Sequence, residues 1–322
     1  MTGRAAPATR HATSSVAIAR VAVEELCDAL GLAPLAVARP GAVGLLTPPV
    51  LLPTADGWIQ PGPPTAWSDV IAMLHALLGD AHRHDTTNGV AFPDLSSLSA
   101  EAIDAEAGAW LLPAVAVREA AAAAPRVAWP TGTPDARGAK VVVLGSAWAA
   151  PLAGVVLQQL GAAVVRVVDP RRVDPFPLRD ALARDQSEVA LDLGSAHGRD
   201  EFAMLLDAAD LLVDGTTPRV LRNAGFDRIA IPVVRIAAFA HDDRPGYGLA
   251  AEARGGWAAR HDPPRLGRSS VADPVAGLLA ALLAVDALRA ARCPPNDSIA
   301  ARISLEEAVG HLFAVSRRNT RS

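Results

Sequence analysis

From residue 138 onward, apolar runs separated by turn-forming residues alternate between strand and helix lengths. Lys140 to Leu144 is a short run with three valines, fitting a strand buried on both faces, and Ala163 to Val168 has the same character. Between them Leu152, Val155, Val156, Leu157 and Leu160 form a wide apolar helical face, with Pro151 tolerated near a first turn and Gly161 as the stop. A strand, helix, strand unit this compact requires parallel pairing through a right-handed crossover. The turn from Gly145 to Ala150 then lies at the carboxyl edge of a sheet, where ligands usually bind.

The alternation continues. Residues 188–193 read as a strand (Val189, Leu191, Leu193), 197–208 as a helix, 211–213 as a strand, 218–224 as a helix stopped by Gly225, and 232–239 as a strand. A loop over 240–256, a long helix over 273–291, a strand over 298–304 and a closing helix complete the chain. The expected fold is α/β: a Rossmann-like, doubly wound, mostly parallel sheet spanning 138–322. Upstream, residues 1–13 form a frayed polar tail, and Ser14 or Ser15 caps a helix reaching Leu30. Residues 32–53 are irregular, and 51–60 form a hairpin turning at Asp56-Gly57. Helices follow over 67–78, 99–108 and 117–124, the last ending near Pro125. Residues 1–130 thus predict a smaller, mainly helical α+β domain, joined by a linker over 129–138.

Composition narrows the function classes. The chain has 322 residues, 51% of them hydrophobic and 20% charged, enough for a packed core. A formal net charge of -4 gives no basic field for nucleic acid, although Lys140 is the only lysine among 30 cations. Cys27 and Cys293 are far apart and lack metal-site spacing, which fits a reducing cytoplasm. The longest uncharged apolar stretch, from Pro274 to Val285, is too short to cross a bilayer, and the N-terminus has no signal pattern, so neither membrane anchoring nor export is expected. GSAWAAPLAG has neither the GxGxxG spacing nor the Lys-Ser/Thr of a P-loop. His82, His84 and Asp85, in a polar segment without a fourth ligand, read as solvated. His241, Asp242 and Asp243 are similarly ambiguous, and no metal is expected.

Three motifs, VVVLGSAWAAPLAGVVLQQLGAAVVRV, EVALDLGSAHGRDEFAMLLDAADLLVDGTTPRVLRNAGFD and VADPVAGLLAALLAVDAL, resemble the class III CoA-transferases, which include carnitine dehydratase-like proteins and alpha-methylacyl-CoA racemases. They follow the family's order over roughly residues 138–315. PTADGWIQ and the Trp helix after it resemble the family's small-domain motif, which usually follows the large domain, so the chain looks circularly permuted. The resemblance implies an acyl-CoA-dependent transferase acting on an acyl-CoA and a small carboxylic acid, with coenzyme A as substrate or carrier. It also implies a homodimer, in relatives interlocked.

The family's catalytic aspartate falls on Asp273. A carboxylate there attacks the thioester carbonyl, releases CoA thiolate and forms a mixed anhydride that a second acid or the thiolate reopens. Without the resemblance, Asp273 before Pro274 reads as a helix N-cap. Tyr247 stands where the racemase branch needs a histidine to exchange the α-proton; it speaks against racemisation and, in a transferase, lines or orients the thioester. The turn Ser146, Ala147, Trp148, Ala149 matches where relatives hold the CoA adenosine and pyrophosphate with backbone amides. Arg166, Arg171 and Arg172 suit phosphates, and Leu191 and Leu193 match a strand whose end lies beside CoA. Each has a plainer reading: Trp148 packs against the small domain, the arginines are surface charges, and the leucines are core.

Departures bear on activity. Gln186 and Ser187 replace a Lys-Arg pair of relatives, Gly215, Thr216, Thr217 and Pro218 replace Asn-Phe-Arg-Pro, and Asn223 replaces an arginine. Charge-assisted bonds are worth about 1.5–3 kcal/mol each, so two lost ones weaken CoA binding by roughly a hundredfold or more unless other arginines compensate. Two alternatives to transfer therefore stand: a catalytically impaired relative with a binding or partner-subunit role, and an isomerase or lyase using Asp273 as a base.

Overall fold

The computed structural model describes residues 15–39, 49–79, 84–87, 90–127, 129, 132–171, 178–184, 186–291 and 300–320. The N-terminal tail, His82, Arg172 and Cys293, all named above, lie outside these residues, as do parts of the 129–138 linker.

The chain opens with α1 (Ser15–Ala29), followed by the hairpin strands β1 (Leu52–Pro53) and β2 (Trp58–Gln60) and by α2 (Trp67–Leu78). Strands β3 (His84–Thr87) and β4 (Val90–Pro93) form a second antiparallel pair, so residues 84–87 are strand rather than loop. Helix α3 (Ala100–Ala109) is capped by Ser99, whose hydroxyl accepts the Ala102 amide at 3.1 Å, and β5 (Val115–Ala116) completes a three-stranded sheet with β1 and β2. The large domain follows: β6 (Lys140–Leu144), α4 (Ala149–Gln159), β7 (Ala163–Val168), α5 (Arg179–Ala183), β8 (Ser187–Ala190), α6 (Ala196–Asp207), β9 (Leu211–Asp214), α7 (Pro218–Asn223), β10 (Val233–Ala237), α8 (Gly248–Arg254), α9 (Ala272–Ala291), β11 (Ala300–Ser304) and α10 (Leu305–Asn319).

The six large-domain strands pair in parallel, in the order β8-β7-β6-β9-β10-β11. Counted along the chain this is the doubly wound order 3-2-1-4-5-6, whose switch point falls between β6 and β9. Side chains alternate across β6: Val141 and Val143 enter a core with α1, α4, α9 and α10, whereas Val142 and Leu144 enter one with α6 and α7. The sheet is therefore covered on both faces, as a parallel sheet requires.

Helix α1, grouped by the sequence with the 1–130 unit, packs into the large core through Ile18, Val23, Leu26 and Leu30. The separate small core holds the 50–116 residues around Ile59, Met73, Phe92 and Ile103. Helix α9 has the length and hydropathy of a membrane span, but 72% of its apolar window is buried inside the fold.

Three element expectations need correction. Residues 117–124 are not helical. Their backbone runs past the end of α8, the Arg118 amide donating to Ala253 O at 3.1 Å and the Ala122 amide to Gly255 O at 3.0 Å. Carbonyls at the end of α8, where the helical ladder stops, thus draw this alanine tract out of its intrinsic preference. Conversely, residues 248–254 are the helix α8, not part of a loop. Finally, β8 stops at Ala190, because Asp192 turns the chain: its carboxylate accepts the Gly194 amide at 2.7 Å and its carbonyl the Ser195 amide at 2.9 Å.

Two predictions follow from this packing. Gly310 of α10 lies against the Ala123 backbone so closely that a Cβ would collide with the Ala123 carbonyl oxygen. Gly310→Ala is expected to lower stability by about 1–3 kcal/mol, read as a lower urea midpoint with an unchanged slope. On the same helix, burial holds the His311 imidazole down at about 4. The unfolded chain binds that proton at its ordinary value and the folded protein does not, so stability falls as pH drops toward about 4. The loss is roughly 2–3 kcal/mol, and His311→Leu should flatten it in urea titrations across this range.

Candidate active site at the carboxyl edge of the sheet

Four segments meet at the carboxyl ends of β6, β9 and β10. After β6 the chain turns through Gly145 (φ 146°) and Ala147 (φ 63°), conformations rare for residues with a Cβ, before entering α4. After β9, Gly215 crosses this turn so closely that a Cβ on it would lie 2.7 Å from Ala150 Cβ. Only glycine lets the two loops touch at the switch point. Asp214, fully buried at the end of β9, accepts from Thr216 N at 2.9 Å, Thr216 Oγ1 at 2.7 Å and Arg235 Nε at 3.0 Å; burial still raises its carboxyl above the usual range.

The third segment, 238–247, is pinned by charge. Arg244 is buried and forms ion pairs with Asp104 of α3 and, at 2.7 Å, with Asp242, while also donating to Asp104 O at 2.9 Å and Ala114 O at 3.0 Å. Asp242 is held in turn by Arg254 of α8 at 2.9 Å, and its carboxyl is lowered despite burial by the Arg244 amide and these two guanidinium groups. Asp243 pairs with Arg302 at 3.5 Å. The His241-Asp242-Asp243 run is therefore a loop anchor, and among the described residues no group of three metal-ligating side chains assembles.

The fourth segment is the start of α9. Gly277, one turn into the helix, lies against α4, where a Cβ would be 2.7 Å from Ala149 O. This contact sets the first turn of α9, with Asp273, beside the first turn of α4. The helix begins at Ala272, before the expected N1, and the Ser270 hydroxyl accepts the Asp273 amide at 3.3 Å. Ser270, not Asp273, supplies the cap. The spacing Ser-Val-Ala-Asp is that of a capping box and was the signal available for this in the sequence. The Asp273 carboxyl is raised by loss of water and drawn back by the Ser270 hydroxyl and the Gly248 amide. Its neighbour Glu252, buried in α8, accepts from Ser270 Oγ, Val271 N and Ala272 N.

The other expected site residues divide. Tyr247 is the N-cap residue of α8, next to Gly248, with its side chain 46% exposed. Ser146 and Ala149 lie on the turn and the first turn of α4, beside the α9 contact. Trp148 is 2% exposed, its indole N–H donating to Val37 O at 2.8 Å, so it packs against the segment after α1. Arg166 is buried in β7, 3.7 Å from Glu188, and Arg171 pairs with Asp169 and Asp192 at 3.0 Å each. Leu191 packs in the core with α6, and Leu193, partly buried, packs against that core. Sequence reasoning missed Ser270, Glu252 and Arg244; the one acid inside the apolar run Leu249 to Ala253 was the available sign of Glu252.

The class these features define is a Rossmann-type α/β protein with a desolvated carboxyl at its sheet edge. Residues 137–312, more than half of the chain, match the model of CoA-transferase family III, and the chain belongs to that family. It is similar to succinyl-CoA--D-citramalate CoA-transferase of Chloroflexus aurantiacus, 27% identical over 179 residues, 46% of this chain and 44% of that protein. It is also similar to the CoA-transferase/lyase DddD of a Marinomonas species, 28% identical over 95 residues, 29% of this chain and 11% of that protein. The matched segments thus span less than half of either relative. The crystal structure of Rv3272 from M. tuberculosis shares the fold, at 21% identity and a TM-score of 0.50, over 60% of this chain and 59% of that one.

The Arg244 ion pairs join the small unit to the loop that leads to Gly248. Asp104→Ala removes one of the two carboxylates that hold the buried Arg244 guanidinium, leaving Asp242 as its remaining ion pair, and should cost about 2–3 kcal/mol by chemical denaturation.

Proposed function

We propose that the chain is an acyl-CoA-dependent CoA transferase in which Asp273 takes up the acyl group. The observation that carries this reading is the placement of Asp273: a desolvated carboxyl at the first turn of α9, set by the Gly277 contact against the start of α4, inside the family-matched region. Desolvation removes the water that would blunt a carboxylate nucleophile, and the Gly248 and Ser270 donors orient it. The carboxylate oxygen bonds to the thioester carbonyl carbon, the carbon–sulfur bond breaks, and CoA leaves as thiolate. The carboxylate of the second acid attacks the Asp273 carbonyl of the resulting anhydride and expels the first acid as its carboxylate; the thiolate then attacks the second acyl carbonyl, the bond to the Asp273 oxygen breaks, and the new thioester leaves with the Asp273 carboxylate restored. First-turn amides of α4 and α9 suit the negative charge on the carbonyl oxygen and on phosphate. The two relatives, named as a CoA-transferase and a CoA-transferase/lyase, support a CoA thioester and a carboxylate as substrates.

A second reading, a relative that binds acyl-CoA weakly or serves as a partner subunit, is favoured by a specific observation. Of the side chains expected to meet CoA, Trp148 and Arg166 are buried, Arg171 is held by two aspartates, and Leu191 is core.

Two measurements separate the readings. Asp273→Ala should abolish transfer from acyl-CoA to a carboxylic acid while leaving the circular dichroism spectrum unchanged; undiminished turnover overturns the nucleophile. Calorimetry of the wild-type protein with CoA and acyl-CoA should show binding in the micromolar range, about −8 kcal/mol, for a transferase; absence of heat and of turnover favours the second reading.

A further inference from the structure

Glu252 sits in the middle of α8 and is 1% exposed, a depth at which a carboxyl needs partners. Its hydrogen-bond partners come from the start of α9: the Ser270 hydroxyl donates to its Oε1 at 2.9 Å, the Val271 amide at 2.8 Å and the Ala272 amide at 3.3 Å. Glu252 thus satisfies first-turn donors of a neighbouring helix. The same Ser270 oxygen accepts the Asp273 amide at 3.3 Å, and Gly248, one turn earlier in α8, lies so close to both Ser270 Oγ and Asp273 Oδ2 that a Cβ on it would collide with each. The Ser270 hydroxyl therefore stands between the two carboxyls, bonded to Glu252 and beside Asp273. We propose that Glu252 acts on Asp273 through the Ser270 hydroxyl, as a positioning residue for the carboxylate that attacks the thioester; the inference rests on the reading of Asp273 given above.

A hydroxyl has one proton to donate. When Glu252 is ionised, Ser270 donates to it. When Glu252 carries its own proton, taken from solvent, Oε1 still accepts the two amides, and the Ser270 proton rotates to the Asp273 carboxylate. Burial, with a smaller contribution from the Asp273 charge, raises the Glu252 carboxyl to about 7, so this rotation falls in the neutral range. The other elements packed on α8 add no competing free charge. Strands β2 and β5 bring no ionisable side chain. From α10, Glu306 faces Arg254 and accepts the Ala240 amide, Glu307 is held by the Ser304 cap, and His311 is kept neutral by burial. Arg260, in the turn after α8, stacks on Trp257. Below neutrality Asp273 is hydrogen-bonded and held. Above it the carboxylate loses that donor, faces a second negative charge and becomes the stronger nucleophile.

The test is a carboxyl carbon-13 NMR titration of the full-length protein, labelled at Asp and Glu side chains, without substrate. The Asp273 signal should show a step near pH 7 that disappears in Glu252→Gln, a variant that keeps an acceptor oxygen for the Val271 and Ala272 amides. Asp273→Asn should lower the Glu252 step, since the neighbouring negative charge is gone, and Ser270→Ala should shrink the Asp273 response. In transfer assays the rate should rise through the same pH in wild type and stay flat in Glu252→Gln. An Asp273 signal that is the same in wild type and Glu252→Gln overturns the inference whatever the activity. Should Glu252→Gln not fold, an unmoved Glu252 step in Asp273→Asn overturns it equally. A protein that shows the coupled titration but never transfers an acyl group upholds the link between the two carboxyls and overturns the nucleophile reading alone.

Discussion

The close approach of α9 to α4 is the constraint on which the rest of the structure depends. Gly277 removes the one side chain that would hold the helices apart, with Ala149 O and Leu152 directly opposite. Ala276, Ala280, Ala281 and Ala284 keep the buried face of α9 shallow, so α1, α8 and α10 pack around it as well. Small residues give up side-chain burial but let backbones approach, and the dispersion lost per side chain returns through many close contacts. The same contact decides where α9 begins in space. Its first turn has to stand beside the first turn of α4, at the sheet edge where the switch point opens.

Charge fixes what packing leaves free. The loop after β10 has few large apolar side chains, and Asp104, Asp242 and Glu306 hold it through Arg244 and Arg254, which also lie over the Phe239 ring at 5.2 and 4.8 Å. That anchoring determines the position of Gly248, and Gly248 is close enough to the Ser270 and Asp273 side chains to leave no room for a Cβ. Site geometry at Asp273 is thus inherited from ion pairs that reach into the small unit. The desolvation that raises Asp214, Glu252 and Asp273 together follows from the same burial.

Legibility differed between the parts of the chain for physical reasons. The strand, helix, strand unit from Lys140 to Val168 was readable because parallel strands buried on both faces carry continuous valine runs, and the helix between them has one apolar face. The two alanine tracts were not readable. Alanine favours helix by its own propensity, yet Ala120 to Ala124 is not helical, because the carbonyl after the end of α8 takes the Ala122 amide and Gly256 and Gly310 leave room for its backbone. The glycine-flanked run Gly248 to Arg254, which has the local signature of a loop, is helical because Leu249 to Ala253 meets α9 and α10.

The sequence by itself determined the doubly wound class, the family and the presence of an acid at the head of the long helix, since these rest on local periodicity and on residues close together in the chain. Only the tertiary structure decided which polar groups share a site. Glu252, Ser270 and Asp273 come from two helices, and the burial that raises the first and third exists only once α8, α9 and α10 have closed over them. It also decided that Trp148 and Arg166 face inward, because nothing in a strand–turn–helix pattern specifies that the segment around Val37 will lie against Trp148 or that β8 will bring Glu188 beside Arg166.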